Sequence, residues 1–153
     1  MSFIGKYYGK TDAKNRVFLP ALFRKLLSQT CPDAQLQLVV RKDIFEKCLV
    51  IYPMEQWEGE VAKLRSGLNR FDSVKQMVYR KMVSDAVYVT PDNSGRILLP
   101  KQMLDSVGIS EGVLFVGMEQ TIEIWASESE NGAETIFMSD EDFAESIRKM
   151  MSE

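Results

Sequence analysis

The sequence predicts an α+β fold, mainly β: a duplicated, pseudo-symmetric barrel with short helices and additional amphipathic helices. Three observations carry this. The stretch DAKNRVFLP from Asp12 returns eighty positions later as DNSGRILLP from Asp92, with aspartate, arginine, two apolar positions and proline in matching places. Each proline opens a short helical pattern, and each helix is followed by an apolar strand pair. Each half, of about forty to fifty residues, has too few apolar side chains for a core of its own, so two halves that interleave their strands would share one.

In the first half, Leu22, Phe23, Leu26 and Leu27 mark one face of a helix that Pro20 opens, proline being favoured at the first helical position. Residues 36–40 and 48–51 then read as paired strands. In the second half, Met103, Leu104 and Val107 form the helical face, and Gly108 is placed to end it. Residues 113–116 and 122–125 read as the matching pair, with GMEQ as their turn. Between the halves, Met54, Trp57, Val61, Leu64 and Leu68 have the spacing of one helical face, and Phe71, Val74, Val78 and Met82 make a second stripe. Gly67 and Asn69 mark the break between them. Near the end, Ser139 and Asp142 form a capping signal before Phe143, Ile147, Met150 and Met151. Methionine-bearing stripes of this kind are expected to pack in a core. NGAET, residues 131–135, reads as a loop. The chain thus divides into a first module at 1–53, connecting helices at 54–86, a second module at 87–126, and an acidic loop and helix at 127–153.

Composition removes several function classes. With 153 residues, 45% apolar and 27% charged, the chain has the make-up of a soluble globular protein. No apolar run approaches the roughly 20 residues that span a bilayer, and MSFIGKYYGK lacks the apolar core of a secretory signal. A cytoplasmic protein is expected, with no membrane partner. Cys31 and Cys48 stand apart with no histidine anywhere, which suits neither a zinc site nor a disulfide framework. Absence of histidine also removes the usual general base, and no phosphate loop, dinucleotide fingerprint or nucleophile elbow is present. Neither an enzyme, a cofactor nor a small-molecule substrate is expected. The net charge of −3 hides an asymmetry: residues 1–53 hold nine Lys/Arg against four Asp/Glu, and residues 54–153 hold ten against eighteen. Nucleic acid needs a basic face rather than a basic protein. The first half can supply one.

The repeated phrase has a chemistry of its own. An aspartate that begins a turn accepts hydrogen bonds from N–H groups two residues on, so Asp12 and Asp92 stiffen their loops. Gly95 offers the left-handed position such turns need, and Asn15, at the matching place, tolerates it better than most residues do. Arg16 and Arg96 stand at the turn-to-strand junction. Side chains alternate along a strand, so Arg96 points out if Ile97 and Leu99 point in. A planar guanidinium on a stiff turn suits phosphates or the O6 and N7 edge of guanine. On spacing alone, an Asp–Arg pair that merely pins the turn serves equally well.

GRILLPKQMLDSVGISEG resembles the SpoVT-AbrB type of DNA-binding module: Gly-Arg, an apolar strand, proline, a short helix, then G-I-x-x-G and another strand. Two such modules in one chain resemble the MraZ family, bacterial transcriptional regulators associated with the division and cell wall gene cluster. LVIYPMEQW and VKQMVYRKMVSDAVYVTPDNSGR extend the likeness to about Trp125. The resemblance implies a swapped-hairpin, double-split (AbrB-like) barrel made by both halves. It also implies a ring-like homo-oligomer, association with the nucleoid, and binding to short direct repeats in double-stranded DNA upstream of that cluster. Arg16 and Arg96 would face the DNA, and Lys14 would meet a phosphate. Asp12, Asn15, Asp92 and Gly95 would hold the turns, Asn15 departing from the family's glycine. The second turn, in the more acidic half, is expected to have less electrostatic support than the first. The competing expectation is a protein-interaction module of the AbrB-like antitoxin type, neutralising a partner protein through the segment from Ser139. Such chains usually carry one copy of the module.

Overall fold

The computed structural model describes residues 2–29, 36–127 and 136–153. The first half runs β1 (Lys6–Lys10), β2 (Arg16–Phe18), α1 (Ala21–Ser28), β3 (Leu38–Lys42) and β4 (Leu49–Pro53). Helices α2 (Met54–Ser66) and α3 (Ser73–Ser84) lead to the second half. There β5 (Val87–Val89), β6 (Arg96–Leu98), α4 (Lys101–Ser106), β7 (Gly112–Gly117) and β8 (Ile122–Ala126) repeat the order. Helix α5 (Asp140–Ser152) follows. The strands that open each half, β1 and β5, are absent from the pattern read in sequence, because KYYGK and VYV are too short and too mixed to announce themselves.

Pairing is antiparallel throughout, in a six-stranded sheet of order β1-β7-β8-β4-β3-β5 and a two-stranded ribbon of β2 and β6. Exchange each strand for its counterpart in the other half, and that order reads the same backwards. The register obeys the same rule: Val50 faces Glu123 midway along β4–β8, and Val17 faces Ile97 midway along the ribbon. A local twofold therefore runs through both places. The halves interleave as expected, since β1 pairs with β7 and β5 with β3. The expected barrel is corrected in one respect: no pairing joins β1 to β5, so the ladder stays open among the described residues. Closure requires unbroken pairing around the circuit, and the three-residue β5 bonds only to β3.

Alternation along the strands sorts side chains into two cores. On one face Leu38, Val40, Leu49, Ile51, Ile122 and Ile124 meet Val17, Leu19, Ile97 and Leu99 of the ribbon, with Phe23, Leu27 and Leu104 of the short helices. Both halves supply this core. Each fully buried Leu, Ile or Phe contributes roughly 1.5–3 kcal/mol, and neither half keeps enough of them alone. Phe23 seals one end edge-on to Phe3 and Tyr7, with centroids 5.6 and 5.2 Å away. On the other face Val39, Val50 and Tyr52 lie beneath Trp57 and Val61 of α2 and Met82 of α3. Cys48 is buried there, and loss of solvent pushes its thiol pKa up. Cys31 and residues 131–135 lie outside the described residues.

Helix ends follow the local chemistry. Pro20 and Pro100 have extended ψ of 137° and 136° and stand one place before the first helical residue, rather than on it. Asp72 caps α3 by accepting from the N–H groups of Val74 and Lys75, and Ser139 Oγ caps α5 by accepting from Asp142 N–H at 3.1 Å. The two later stripes do not pack as expected. Of Phe71, Val74, Val78 and Met82 only Met82 is buried, and no residue of α5 is. Trp57 and Val61 of α2, with Met82, already cover Val39 and Val50 on this face of the sheet.

Candidate nucleic-acid interface

The two D-x-x-x-R turns fold alike. Asp12 Oδ1 accepts from the backbone N–H groups of Lys14 and Arg16, both at 2.9 Å, and Asp12 Oδ2 accepts from Arg16 Nε at 2.8 Å. Asp92 does the same with Ser94 N–H, Arg96 N–H and Arg96 Nε, at 2.9, 2.9 and 2.8 Å. Backbone bonds close each loop from Asn15 N–H to Asp12 and from Gly95 N–H to Asp92. Hydrogen bonds from backbone N–H groups, that of Arg16 foremost, hold the Asp12 carboxyl below its usual pKa, and Arg96 and Ser94 do the same for Asp92. Both carboxylates are therefore charged at neutral pH.

Asn15 and Gly95 both take the left-handed conformation, with φ of 64° and 85°. Asparagine thus fills the glycine position without changing the loop. These residues also lock the halves together: Leu19 N–H donates to Gly95 O and Leu99 N–H to Asn15 O, each at 3.0 Å. Every turn is fixed by its own aspartate and by the opposite strand.

The ion pair and the outward arginine prove compatible. Each guanidinium spends Nε on its aspartate, while its two terminal nitrogens have no partner among the described residues. The side chains of Arg16 and Arg96 remain 30% and 28% exposed. Ribbon register sets Arg16 opposite Leu98 and Phe18 opposite Arg96, with Val17 and Ile97 between them pointing into the core. The outer face is therefore a four-residue checkerboard of two arginines and two exposed apolar side chains. Diagonal neighbours of this kind lie about 7–8 Å apart. Phe18 also supports its neighbour, the Arg96 guanidinium lying 5.8 Å from the ring centroid.

Lys14 is exposed on the first turn, as expected. The second turn has a cation that the sequence reading missed. Arg24 of α1 places Nη1 3.3 Å from Ser94 O and lies so close over Gly95 that a Cβ there would collide with it. The first half thus lends a positive charge to the second turn, correcting the expected deficit. A signal existed: eighty positions on from Arg24 stands the buried Leu104, so the copies differ there. Phe18 and Leu98, on the same outer face as the arginines by strand alternation, were not singled out in the sequence either.

Among the described residues no group of three or more His, Cys, Asp or Glu side chains is placed to hold a metal ion, and no helix is long and apolar enough to cross a membrane.

Comparison with known proteins agrees with the resemblance. The family model described as "MraZ protein, putative antitoxin-like" matches residues 3–81 and 82–130. A protein of Phocaeicola vulgatus named transcriptional regulator MraZ is 44% identical over 151 residues, covering 99% of this chain and 94% of its own. Its namesake in Bacteroides fragilis is 42% identical over 151 residues, covering 99% and 92%. That of Dictyoglomus thermophilum is 33% identical over 126 residues, covering 82% and 80%. Relatives so named are transcriptional regulators, not enzymes. With two matched segments that meet near the end of α3, and this identity across nearly its whole length, the chain belongs to the MraZ family.

Proposed function

We propose that the chain is a sequence-specific DNA-binding transcriptional regulator that inserts the outer face of the β2–β6 ribbon into the major groove. The observation that carries this is the checkerboard: two guanidinium forks on doubly fixed turns, each with both terminal nitrogens unpaired among the described residues. The major groove, about 12 Å wide, admits a two-stranded ribbon. Arg16 and Arg96, set on a diagonal of about 7–8 Å, would address bases roughly two steps apart, while Phe18 and Leu98 would meet thymine methyl groups. Lys14 and Arg24 would take flanking phosphates. Asp12, Asn15, Asp92 and Gly95 would act as turn-holders rather than readers.

One ribbon carries few contacts, so a single chain would bind weakly. A ring-like homo-oligomer on short direct repeats would multiply affinity through effective concentration. The repeats would lie upstream of the division and cell wall gene cluster, and the protein would be found on the nucleoid. The interleaved pairing is in keeping with a swapped-hairpin, double-split design, the two modules at 1–53 and 87–126 sharing one core.

The test is retardation of a duplex carrying the region upstream of that cluster, by the native chain and by Arg16→Ala/Arg96→Ala. Native protein should shift the duplex and the double variant should not. No shift by the native chain at low salt, together with co-purification of a basic partner protein, would replace this reading with the antitoxin one.

A further inference from the structure

Helix α3 and the end of α2 form a surface that the ribbon does not use. Between Val61 and Ser84 the chain carries six Lys/Arg and one Asp. A groove beside α3 is lined by Ile44, Leu64, Val74, Met77 and Val78, and most of these apolar side chains are largely exposed. Arg41 forms part of its wall. That residue is only 5% exposed, its Nη1 donates to Lys42 O at 2.7 Å, and its buried Nε has no partner. Asp43 and Asp85 also line the groove, but neither forms an ion pair with Arg41 among the described residues, so a desolvated cation underlies the apolar side chains. Lys81, on the rim, is paired with Asp85 at 2.9 Å.

Helix α5 has the complementary character. Phe143, Ile147, Met150 and Met151 form an exposed stripe at helical spacing, and residues 136–153 hold five Asp/Glu against two Lys/Arg. The acids gather at its start, Asp140, Glu141 and Asp142, and the bases Arg148 and Lys149 lie near its end. With 13 residues against the 12 of α3, the two helices match in length at about 20 Å.

We infer that α5 of one chain docks in the α3 groove of a second copy, apolar stripe to apolar trough and acidic first turn over the basic surface around Arg41. The inference rests on the homo-oligomeric reading above and names the contact that would build it. Phe137, just before α5, is held by Lys6 of β1, whose Nζ lies 4.1 Å from the ring centroid. Lys6, Val116, Glu123, Val50 and Arg41 form one continuous row across the sheet. Four strand spacings put Lys6 about 19 Å from Arg41. A tail rooted there could bring only its far end, with Arg148 and Lys149, to its own basic groove. A neighbouring chain brings the acidic end. The donor site lies at the β1 edge of the sheet and the acceptor site toward the opposite, β5 edge, so the contact is head-to-tail, the kind that repeats until a ring closes.

The test uses full-length chains without DNA, so its failure would leave the DNA reading of the ribbon standing. A chain carrying Met77→Cys and Ile147→Cys, in a Cys31→Ser background, is oxidised mildly and run on a non-reducing gel. A ladder of linked chains is expected. A linked monomer, or no link, would overturn the inference. In parallel, Ile147→Asp should lower the assembly mass by ultracentrifugation to one or two chains while circular dichroism stays native. An unchanged mass would also overturn it, as would Lys75→Glu/Arg80→Glu abolishing DNA retardation with full assembly retained, which would give the basic surface to DNA.

Discussion

Replacing Arg16 by alanine separates what the side chain does for the turn from what it would do for DNA. Within the fold, the change removes one ion pair, Nε to Asp12 Oδ2 at 2.8 Å, in which both side chains are about one-third exposed. Exposed pairs of this kind contribute about 0.2–1 kcal/mol. Asp12 Oδ1 keeps its two backbone N–H donors, and Leu99 N–H still grips Asn15 O. The loss of stability should therefore stay below about 1 kcal/mol. Binding loses the free fork, about 1–3 kcal/mol for a bidentate base contact, or roughly 5- to 150-fold per chain. Two chains on adjacent boxes compound that to roughly 25-fold at the least. Fluorescence anisotropy on one-box and two-box duplexes at one salt concentration measures the binding loss, and a thermal melt measures the fold. Native affinity in the variant would refute the assignment of Arg16. A melt that loses more than about 2 kcal/mol, beyond any exposed pair, would mean that the arginine chiefly holds the turn.

Arg96→Ala should weaken binding within about threefold of Arg16→Ala in the same anisotropy assay, because Arg24 gives the second turn the flanking cation that Lys14 gives the first; a tenfold gap in either direction would show the turns to be unequal. Gly95→Ala should cost about 1–2 kcal/mol for a left-handed alanine and weaken binding too, since the new Cβ expels the Arg24 guanidinium from the turn; urea unfolding and retardation assays check both, and a neutral substitution contradicts the geometry. Log K should fall with log[salt] at a slope near −0.9 per phosphate neutralised, so about −2 per chain if only Lys14 and Arg24 meet phosphates and nearer −4 if both arginines do too; a slope near zero rules out phosphate contacts altogether. The turns should hold their shape from pH 7 to pH 5: with folded-state pKa values depressed, the carboxylates of Asp12 and Asp92 stabilise above the unfolded value of about 3.9 and lose that contribution only as pH falls through the lower folded value. Carboxyl carbon NMR titration would check this, a midpoint at or above 3.9 being the contrary result.

The repeat made the heart of the fold legible, because aspartate, arginine and proline at fixed spacing each constrain the backbone in a known way. Alternation tied an outward Arg96 to inward Ile97 and Leu99, and the structure buries both, with Val17 and Leu19 in the matching places. The opening strands did not, since β1 and β5 owe their existence to partners in the opposite half, β7 and β3, which no local pattern reveals. The stripes of α3 and α5 were legible as helices but not as surfaces. Periodicity fixes which side chains share a face, and only tertiary packing says whether that face is covered. Arg16, Arg96 and Lys14 could be named from the motif, whereas Arg24 reaches its turn from seventy residues away.

The local twofold through Val17 and Ile97 has a further consequence. Two identical chains joined about such an axis would look the same from either end, and so would be blind to which way round they sat on a duplex. Fusion of the halves into one polypeptide lifts that degeneracy. The counterpart of Lys14 is Ser94, that of Arg24 is Leu104, and that of Asn15 is Gly95. A row of boxes all written in the same direction carries an arrow, and a reader needs an arrow of its own to follow it. These three mismatched pairs supply one at the ribbon itself, so each chain on such a row could keep a single heading.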